Sequence, residues 1–124
     1  MLPVFEICIL KGVVYRMVIR IETSSEGMTV WLSGELDHHA ARQLRQQIDL
    51  AAERSQAKLL TLDFSGVSFM DSSGIGLIMG RYRLMQMNGG TLRVVGASER
   101  LCKVMRLAGL ERLGILQDLA ETKA

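Results

Sequence analysis

The sequence predicts one α/β domain with a mixed, mainly parallel sheet, an N-terminal β-hairpin and helices packed on the sheet. The chain has 124 residues, an ordinary length for one domain, and 48% of them are apolar, enough for a core without disulfides or metal. From residue 17 two strand-like segments follow each other across a short polar turn. Helical and strand-like patterns then alternate, which is typical of a sheet with parallel strands.

The predicted hairpin pairs residues 18–21 with residues 28–33. The first segment is mostly β-branched and the second is rich in residues that favour strands, and the polar segment 23–27 between them ends in glycine. A turn this short favours antiparallel pairing. Residues 34–37 are then predicted to leave the sheet.

Asp37 begins the first predicted helix, because its carboxylate can accept N–H groups that have no partner in the first turn. Apolar residues recur at helical spacing up to about Arg54, where the helix is predicted to end. The nearly continuous apolar run at 58–64 predicts a strand buried on both faces. Residues 65–70 are predicted to form a loop whose large apolar side chains turn inward.

The second predicted helix runs from about Ser73 to Met87 and stops at the glycines that follow Asn88. It is apolar around much of its circumference and should be largely buried. Gly76 and Gly80 each cost about 1 kcal/mol of helix propensity. Close packing of a strand or helix, or contact with a partner protein, is expected to compensate for that cost.

The C-terminal part predicts smaller elements. Residues 91–96 favour a strand, and Ser98 can cap a short helix that ends at Gly109. An edge strand at 113–116 and a brief helix at 117–124 are expected to complete the chain.

Composition and charge exclude several classes of protein. The net charge is +2, from 15 basic and 13 acidic residues that are mixed along the chain, so no basic patch for nucleic acid is predicted. Cys8 and Cys102 lie too far apart for a secreted disulfide scaffold; Cys102 is expected to be a buried free thiol, and the compartment to be reducing. Residues 2–21 are apolar but carry four charges, which argues against a membrane span or a signal peptide. We therefore predict a cytoplasmic protein with no membrane partner.

Hydrolytic and metal-dependent chemistry fit the sequence poorly. Asp37, His38, His39 and Ser72 supply the residue types of a Ser-His-Asp site, but Ser72 lacks the preceding glycine of a nucleophile elbow. Adjacent helical residues point about 100° apart, so the two histidines cannot bind one ion in the usual way. We predict no catalytic residues and no metal site.

The glycine-rich segment 74–80 has some features of a nucleotide-binding site. It begins a helix, but its spacing misses the dinucleotide pattern by one residue and it lacks the lysine of a phosphate-binding loop. A helix N-terminus can still hold an anion. A weak nucleotide-binding or nucleotide-hydrolysing protein therefore stays an alternative, and no cofactor is predicted.

Ser72 is the main candidate for a functional side chain. A serine at a helix start is commonly only a cap, but Asp71 can already cap this helix, and glycines at 74 and 76 leave little cover over the backbone. We expect an exposed Ser72 hydroxyl. A phosphate there adds about −1.5 to −2 charge, which the helix N-terminus favours. Phosphorylation should therefore change the surface and leave the fold standing.

Two motifs carry a resemblance to a known family. The segments 33–39 (SGELDHH) and 62–76 (LDFSGVSFMDSSGIG) closely resemble the anti-sigma-factor antagonists, whose domain is called STAS, and the match is best with the sporulation members. The resemblance extends over roughly residues 17–116. It implies a STAS-type fold for the sheet and helices described above.

The resemblance also implies a function. Ser72 corresponds to the phosphate acceptor, and the kinase is the anti-sigma factor itself, which binds ATP. Unphosphorylated antagonist binds that factor and releases the sigma factor for transcription; a phosphoserine phosphatase resets the switch. The implied contact residues are Gly34, Glu35, Asp37, Asp71, Ser72, Ser73, Gly74, Ile75 and Gly76.

The chain departs from the family pattern at its beginning. Residues 1–16 have no counterpart there, so we expect an extra N-terminal segment that is not native, followed by a single STAS domain at 17–124. Some relatives with this fold are sensor or scaffold subunits of other signalling assemblies, and this is kept as an alternative. Such relatives often lack the phosphoserine, so Ser72 favours the antagonist.

Overall fold

The computed structural model describes residues 4–10 and 13–117. Its elements are β1 Val4–Leu10, β2 Val13–Ser24, β3 Gly27–Leu36, α1 His38–Ser55, β4 Leu59–Met70, α2 Ser72–Met87, β5 Thr91–Val95, α3 Glu99–Leu107 and a 3-10 turn at Leu110–Leu113. The five strands lie side by side in chain order. The β1–β2 and β2–β3 pairs are antiparallel, and the β3–β4 and β4–β5 pairs are parallel. The mixed sheet with an antiparallel hairpin and packed helices is thus confirmed.

The hairpin of β2 and β3 buries one face of each strand. Met17, Ile19 and Ile21 of β2 are buried, whereas Val18 between them is 36% exposed. This period of two follows from the alternation of side chains along a strand. On the other face Arg20 lies over the ring of Trp31, its neighbour across the strands, at 3.9 Å from the ring centroid.

Strands β3 and β4 both run further than predicted. Residues 34–36 stay in the sheet, and residues 65–70, predicted to form a loop, are the second half of β4. The β3–β4 register shifts twice, and each time β4 holds one residue more than β3. Such bulges change the side-chain alternation. The buried residues Phe64, Val67 and Met70 therefore recur every third position, a spacing that does not resemble a strand.

The helices supply the other side of the core. The buried residues are Ala40, Ala41, Leu44 and Ile48 of α1, Gly74, Leu77, Ile78, Arg81 and Met85 of α2, and Leu101, Cys102 and Met105 of α3. The boundaries predicted for α1 and α2 are correct to within a residue. The expected buried free thiol is Cys102, whose pKa is raised by burial.

The C-terminal part differs from the prediction in one element. Ser98 caps α3, its Oγ accepting the Leu101 N–H at 3.2 Å. The edge strand expected at 113–116 is instead a 3-10 turn followed by a single bridge between Leu116 and Val94. The brief helix expected at 117–124 falls, apart from its first residue, outside the described residues.

The segment predicted as extra, residues 1–16, contains β1 and the start of β2. These pair as an antiparallel ladder at the edge of the sheet. Among the described residues, no helix has the length and apolar character needed to cross a membrane.

Candidate functional site

Two equivalent strand-to-helix junctions lie next to each other at the carboxyl ends of β3 and β4. The last residues of β3 and β4, Leu36 and Met70, are paired in parallel register. Each is followed by an aspartate that caps a helix: Asp37 Oδ1 accepts the Ala40 N–H at 2.9 Å, and Asp71 Oδ1 accepts the Ser73 N–H at 2.8 Å. The predicted segments 34–37 and 71–76, far apart in sequence, therefore lie side by side. We call the surface that they form the rim.

A backbone hydrogen bond ties the two junctions together. The Asp71 N–H donates to the Leu36 carbonyl oxygen at 3.2 Å. The Ser68 hydroxyl donates to the Gly34 carbonyl oxygen, also at 3.2 Å. The start of α2 is thus fixed directly to the end of β3.

The two serines have different surroundings. Ser72 is the first residue of α2 and is exposed, whereas Ser73 is half-buried and its N–H is taken up by the Asp71 cap. Because Asp71 satisfies the cap, the Ser72 hydroxyl is not needed for that purpose. This is the arrangement expected for a helix start that leaves one hydroxyl to solvent.

Gly74 supports the site from below. It is buried, and a Cβ there would overlap with the Met70 side chain and lie 3.1 Å from Leu36 Cδ2. Any larger residue would push α2 away from the end of β4. Although predicted as a contact residue, Gly74 belongs to the packing under the site.

Gly34 shapes the other half of the rim. Its φ is +114°, in a region that side chains with a Cβ rarely adopt, and the β3–β4 register shifts between Gly34 and Glu35. Glycine is therefore needed here for the turn of the backbone that sets the position of Glu35.

Phe69 is an exposed aromatic residue beside the two junctions, a position that the sequence did not predict. It was expected to turn inward, but it is 50% exposed and lies opposite Glu35 in the β3–β4 ladder. The bulges of β4 change which side chains face the core, and Gly34 and Gly66, which stand at the two register shifts, are the sequence signal that could have located them. The rim therefore carries an exposed aromatic ring three residues before Ser72.

The glycines on the outer part of α2 do not have the packing role that was predicted. A Cβ at Gly76 or at Gly80 would meet no atom within 4 Å, so neither glycine allows a close approach inside the described protein. Contact with a partner is the explanation that stays open for them. Ile75, between Gly74 and Gly76, is half-buried.

A groove runs between the first turns of α1 and α2. Its volume is about 340 Å³, and it is lined by His38, Ala41, Arg42, Arg45, Ser73, Gly76 and Leu77. His38 and His39 stack on each other with 4.1 Å between ring centroids. Within the described residues, no group of three side chains could hold a metal ion.

An ion pair holds α1 against α2. Arg81 is buried, and its Nε lies 2.8 Å from Asp49 Oδ1. Burial lowers the pKa of the Arg81 guanidinium, and the Asp49 carboxylate opposes that shift. Burial likewise raises the pKa of Asp49 against the effect of Arg81. The pair fixes the relative position of the two helices whose first turns form the rim.

The comparison with protein families agrees with this fold and site. Residues 19–118 match the family described as "Mlab, STAS domain". The match spans most of the chain, including both junctions and all three helices. The chain belongs to the STAS domain family.

Curated relatives within that family share one description. An anti-sigma F factor antagonist of Paenibacillus polymyxa is 36% identical over 100 residues, which cover 81% of this chain and 86% of the relative. An anti-sigma-B factor antagonist of Bacillus subtilis is 30% identical, covering 75% of this chain and 84% of the relative. The chain is therefore similar in sequence to curated anti-sigma-factor antagonists.

Solved structures of anti-sigma factor antagonists have the same fold as this chain. The unphosphorylated anti-sigma factor antagonist SpoIIAA superposes with a TM-score of 0.72 at 32% identity, covering 85% of this chain and 90% of SpoIIAA. The phosphorylated form of SpoIIAA from Bacillus gives 0.67 at 33% identity, covering 85% and 94%. The same architecture is thus seen in a relative with and without its phosphate.

Proposed function

We propose that the protein is an anti-sigma-factor antagonist controlled by phosphorylation of Ser72. In its unphosphorylated form it binds an anti-sigma factor that is also a serine kinase, and the sigma factor is released. The observation that carries the proposal is the exposed Ser72 hydroxyl at the start of α2, next to an Asp71 carboxylate that already caps the helix. The antagonist relatives support the same function.

The proposed contact surface is the rim formed by the two junctions. It comprises Gly34, Glu35, Asp37, Asp71, Ser72, Ser73, Ile75 and Gly76, with Gly74 as internal support. Phe69 joins this surface because exposed aromatic side chains contribute strongly to protein interfaces. The partner thus meets an apolar ring, a hydroxyl and an open helix surface side by side.

Phosphorylation acts in this proposal through the surface. The phosphate brings about −1.5 to −2 charge and three acceptor oxygens to the first turn of α2. The helix N-terminus stabilises that charge, so the helix persists. The partner, fitted to a small neutral hydroxyl, meets bulk and negative charge and dissociates.

The remaining roles belong to other proteins. The anti-sigma kinase binds ATP and supplies the phosphate, and a phosphoserine phosphatase removes it in the cytoplasm. The antagonist itself has no catalytic activity in this proposal.

The first prediction separates the two serines. Incubated with the anti-sigma kinase of its source organism and ATP, the protein should gain one phosphate on Ser72. Ser72→Ala should block the modification, whereas Ser73→Ala, the matched control, should still be phosphorylated. Intact-mass and peptide mass spectrometry read out the site.

Binding measurements complete this test. Ser72→Ala should bind the kinase and resist inactivation, and Ser72→Asp should bind at least about tenfold more weakly because it adds charge at the rim. Titration calorimetry gives both affinities. Phosphate on a residue other than Ser72, or equal affinity of Ser72→Asp and wild type, would contradict the proposal.

A further inference from the structure

The groove between α1 and α2 carries an excess of positive charge. His38, Arg42 and Arg45 line it from α1, and among the described residues no carboxylate lines it. The first turns of α1 and of α2 contain no acidic residue either. Helix N-termini carry partial positive charge. The two helix starts add partial positive charge to that of the side chains, and their capping carboxylates, Asp37 and Asp71, offset part of it.

The nearby acids are already engaged. Asp37 and Asp71 cap the two helices through the Ala40 and Ser73 N–H groups and keep their charge there, and Asp49 is held by Arg81 at 2.8 Å. Arg45 also interacts electrostatically with Asp49, so Arg45 is less available to a partner than an arginine without such an interaction. Arg42 is exposed, and within the described residues no ion pair to a carboxylate engages it. Arg42 is thus the most available charge of the groove.

We propose that this groove receives an acidic segment of the anti-sigma partner, an inference that rests on the proposed function. Guanidinium groups bind carboxylates through paired, charge-assisted hydrogen bonds. Gly76 forms part of the groove and leaves open space where a side chain would stand. Ser73 lines the groove as well, so the groove continues directly from the proposed contact surface.

The groove also gives the phosphate a definite target. Ser72 precedes Ser73, and consecutive Cα atoms lie about 3.8 Å apart. A phosphate on Ser72 is then within a Debye length, about 8 Å at physiological salt, of the groove's edge. It lowers the positive potential that attracts the acidic segment, in addition to blocking the rim.

Charge removal in the groove tests the proposal. All variants carry Ser72→Ala, so that phosphorylation does not intervene. The pair Arg42→Gln and Arg45→Gln should weaken binding to the anti-sigma kinase about tenfold and flatten its salt dependence. Arg42→Gln is also made alone, and Arg54→Gln is its matched control: it removes one positive charge from the same helix, about 18 Å beyond Arg42 at 1.5 Å per residue. It should change the affinity less than about twofold.

A crosslinking experiment identifies what occupies the groove. A water-soluble carbodiimide joins amines to carboxylates in direct contact. The amine introduced by Arg42→Lys should couple to an aspartate or glutamate of the kinase, located by mass spectrometry. The amine introduced by Arg54→Lys should not couple to the kinase.

The outcomes separate this inference from the proposed function. If Ser72→Ala protein binds the kinase and the arginine substitutions leave its affinity unchanged, the groove proposal is overturned and the antagonist function stands. If the same arginine substitutions, made in protein that keeps Ser72, change only the rate at which the kinase phosphorylates Ser72, the groove serves the nucleotide and the proposal is likewise overturned. If Ser72→Ala protein does not bind the kinase at all, the proposed function fails and takes the groove proposal with it.

Discussion

Gly74 and Gly76 lie two positions apart in the first turns of α2 and have opposite structural settings. Gly74 is pressed against Met70 and Leu36, whereas Gly76 faces open space. Sequence alone shows two similar glycines, because the atoms that surround Gly74 come from the end of β4 and from β3. What the sequence does predict is the Asp-Ser-Ser order of cap, exposed hydroxyl and capped N–H, because capping is a local interaction.

Substitution of the two glycines by alanine should therefore have opposite effects on stability. Gly74→Ala should lower the free energy of unfolding by about 1–3 kcal/mol, since the core has no room for the methyl group. Gly76→Ala should raise it by up to about 1 kcal/mol, since alanine favours the helix and meets no neighbour. Urea denaturation followed by circular dichroism measures both.

Gly76→Ala also bears on the contact surface. If partner contact accounts for the missing side chain, the stabilised variant should bind the anti-sigma kinase more weakly than wild type does. Gly80→Ala on the same helix is a useful comparison, because its Cβ also meets no atom of the described protein. Unchanged affinity in Gly76→Ala would remove Gly76 from the contact surface.

Among the secondary-structure elements, the pairing of α1 with α2 depends on the Asp49–Arg81 ion pair. Arg81 Nη1 is buried with no hydrogen-bond partner among the described residues, so Asp49 is the nearby group that compensates its charge. Both helices were predicted well from their caps and apolar spacing. The buried arginine was not, because α2 holds both Arg81 and Arg83 and is apolar around much of its circumference, so its pattern does not show which arginine faces the core.

Asp49→Asn should destabilise the protein by about 1–3 kcal/mol, because it leaves the Arg81 charge buried without a counter-charge. The cost is below that of a fully buried pair, since the Asp49 side chain is 38% exposed and solvent reaches the site. Replacing both residues, Asp49→Leu with Arg81→Met, should recover most of the loss. If the double variant is no more stable than Asp49→Asn, charge burial is not the cause.

At the scale of the whole molecule, the sheet continues beyond the predicted domain. β1 adds an antiparallel strand to β2, outside the motifs from which the family was inferred. The boundary of the STAS domain at residue 17 therefore stays a proposal. The order of strands and helices was predictable because local patterns give it; the extension of β3 and β4 was not, because it depends on two bulges in their pairing.

A protein that begins at Met17 tests the domain boundary. We expect it to fold, because Met17, Ile19 and Ile21 already bury one face of β2 against the core. Removing β1 exposes the outer edge of β2, and unpaired edges promote association. The shortened protein should therefore show native-like circular dichroism and binding of the anti-sigma kinase, with more self-association by light scattering. An unfolded product would show that residues 1–16 are part of the domain.

The two aspartate-capped junctions meet in space but are encoded more than thirty positions apart. Mutations in one segment of the gene can thus alter the proposed contact surface at residues 34–37 while Ser72, the proposed phosphate acceptor, and its cap are inherited unchanged. A duplicated copy can acquire a different partner and keep the same chemistry of inactivation. In the proposed function, a cell with several such antagonists can in this way have a different partner for each and the same control by phosphorylation for all.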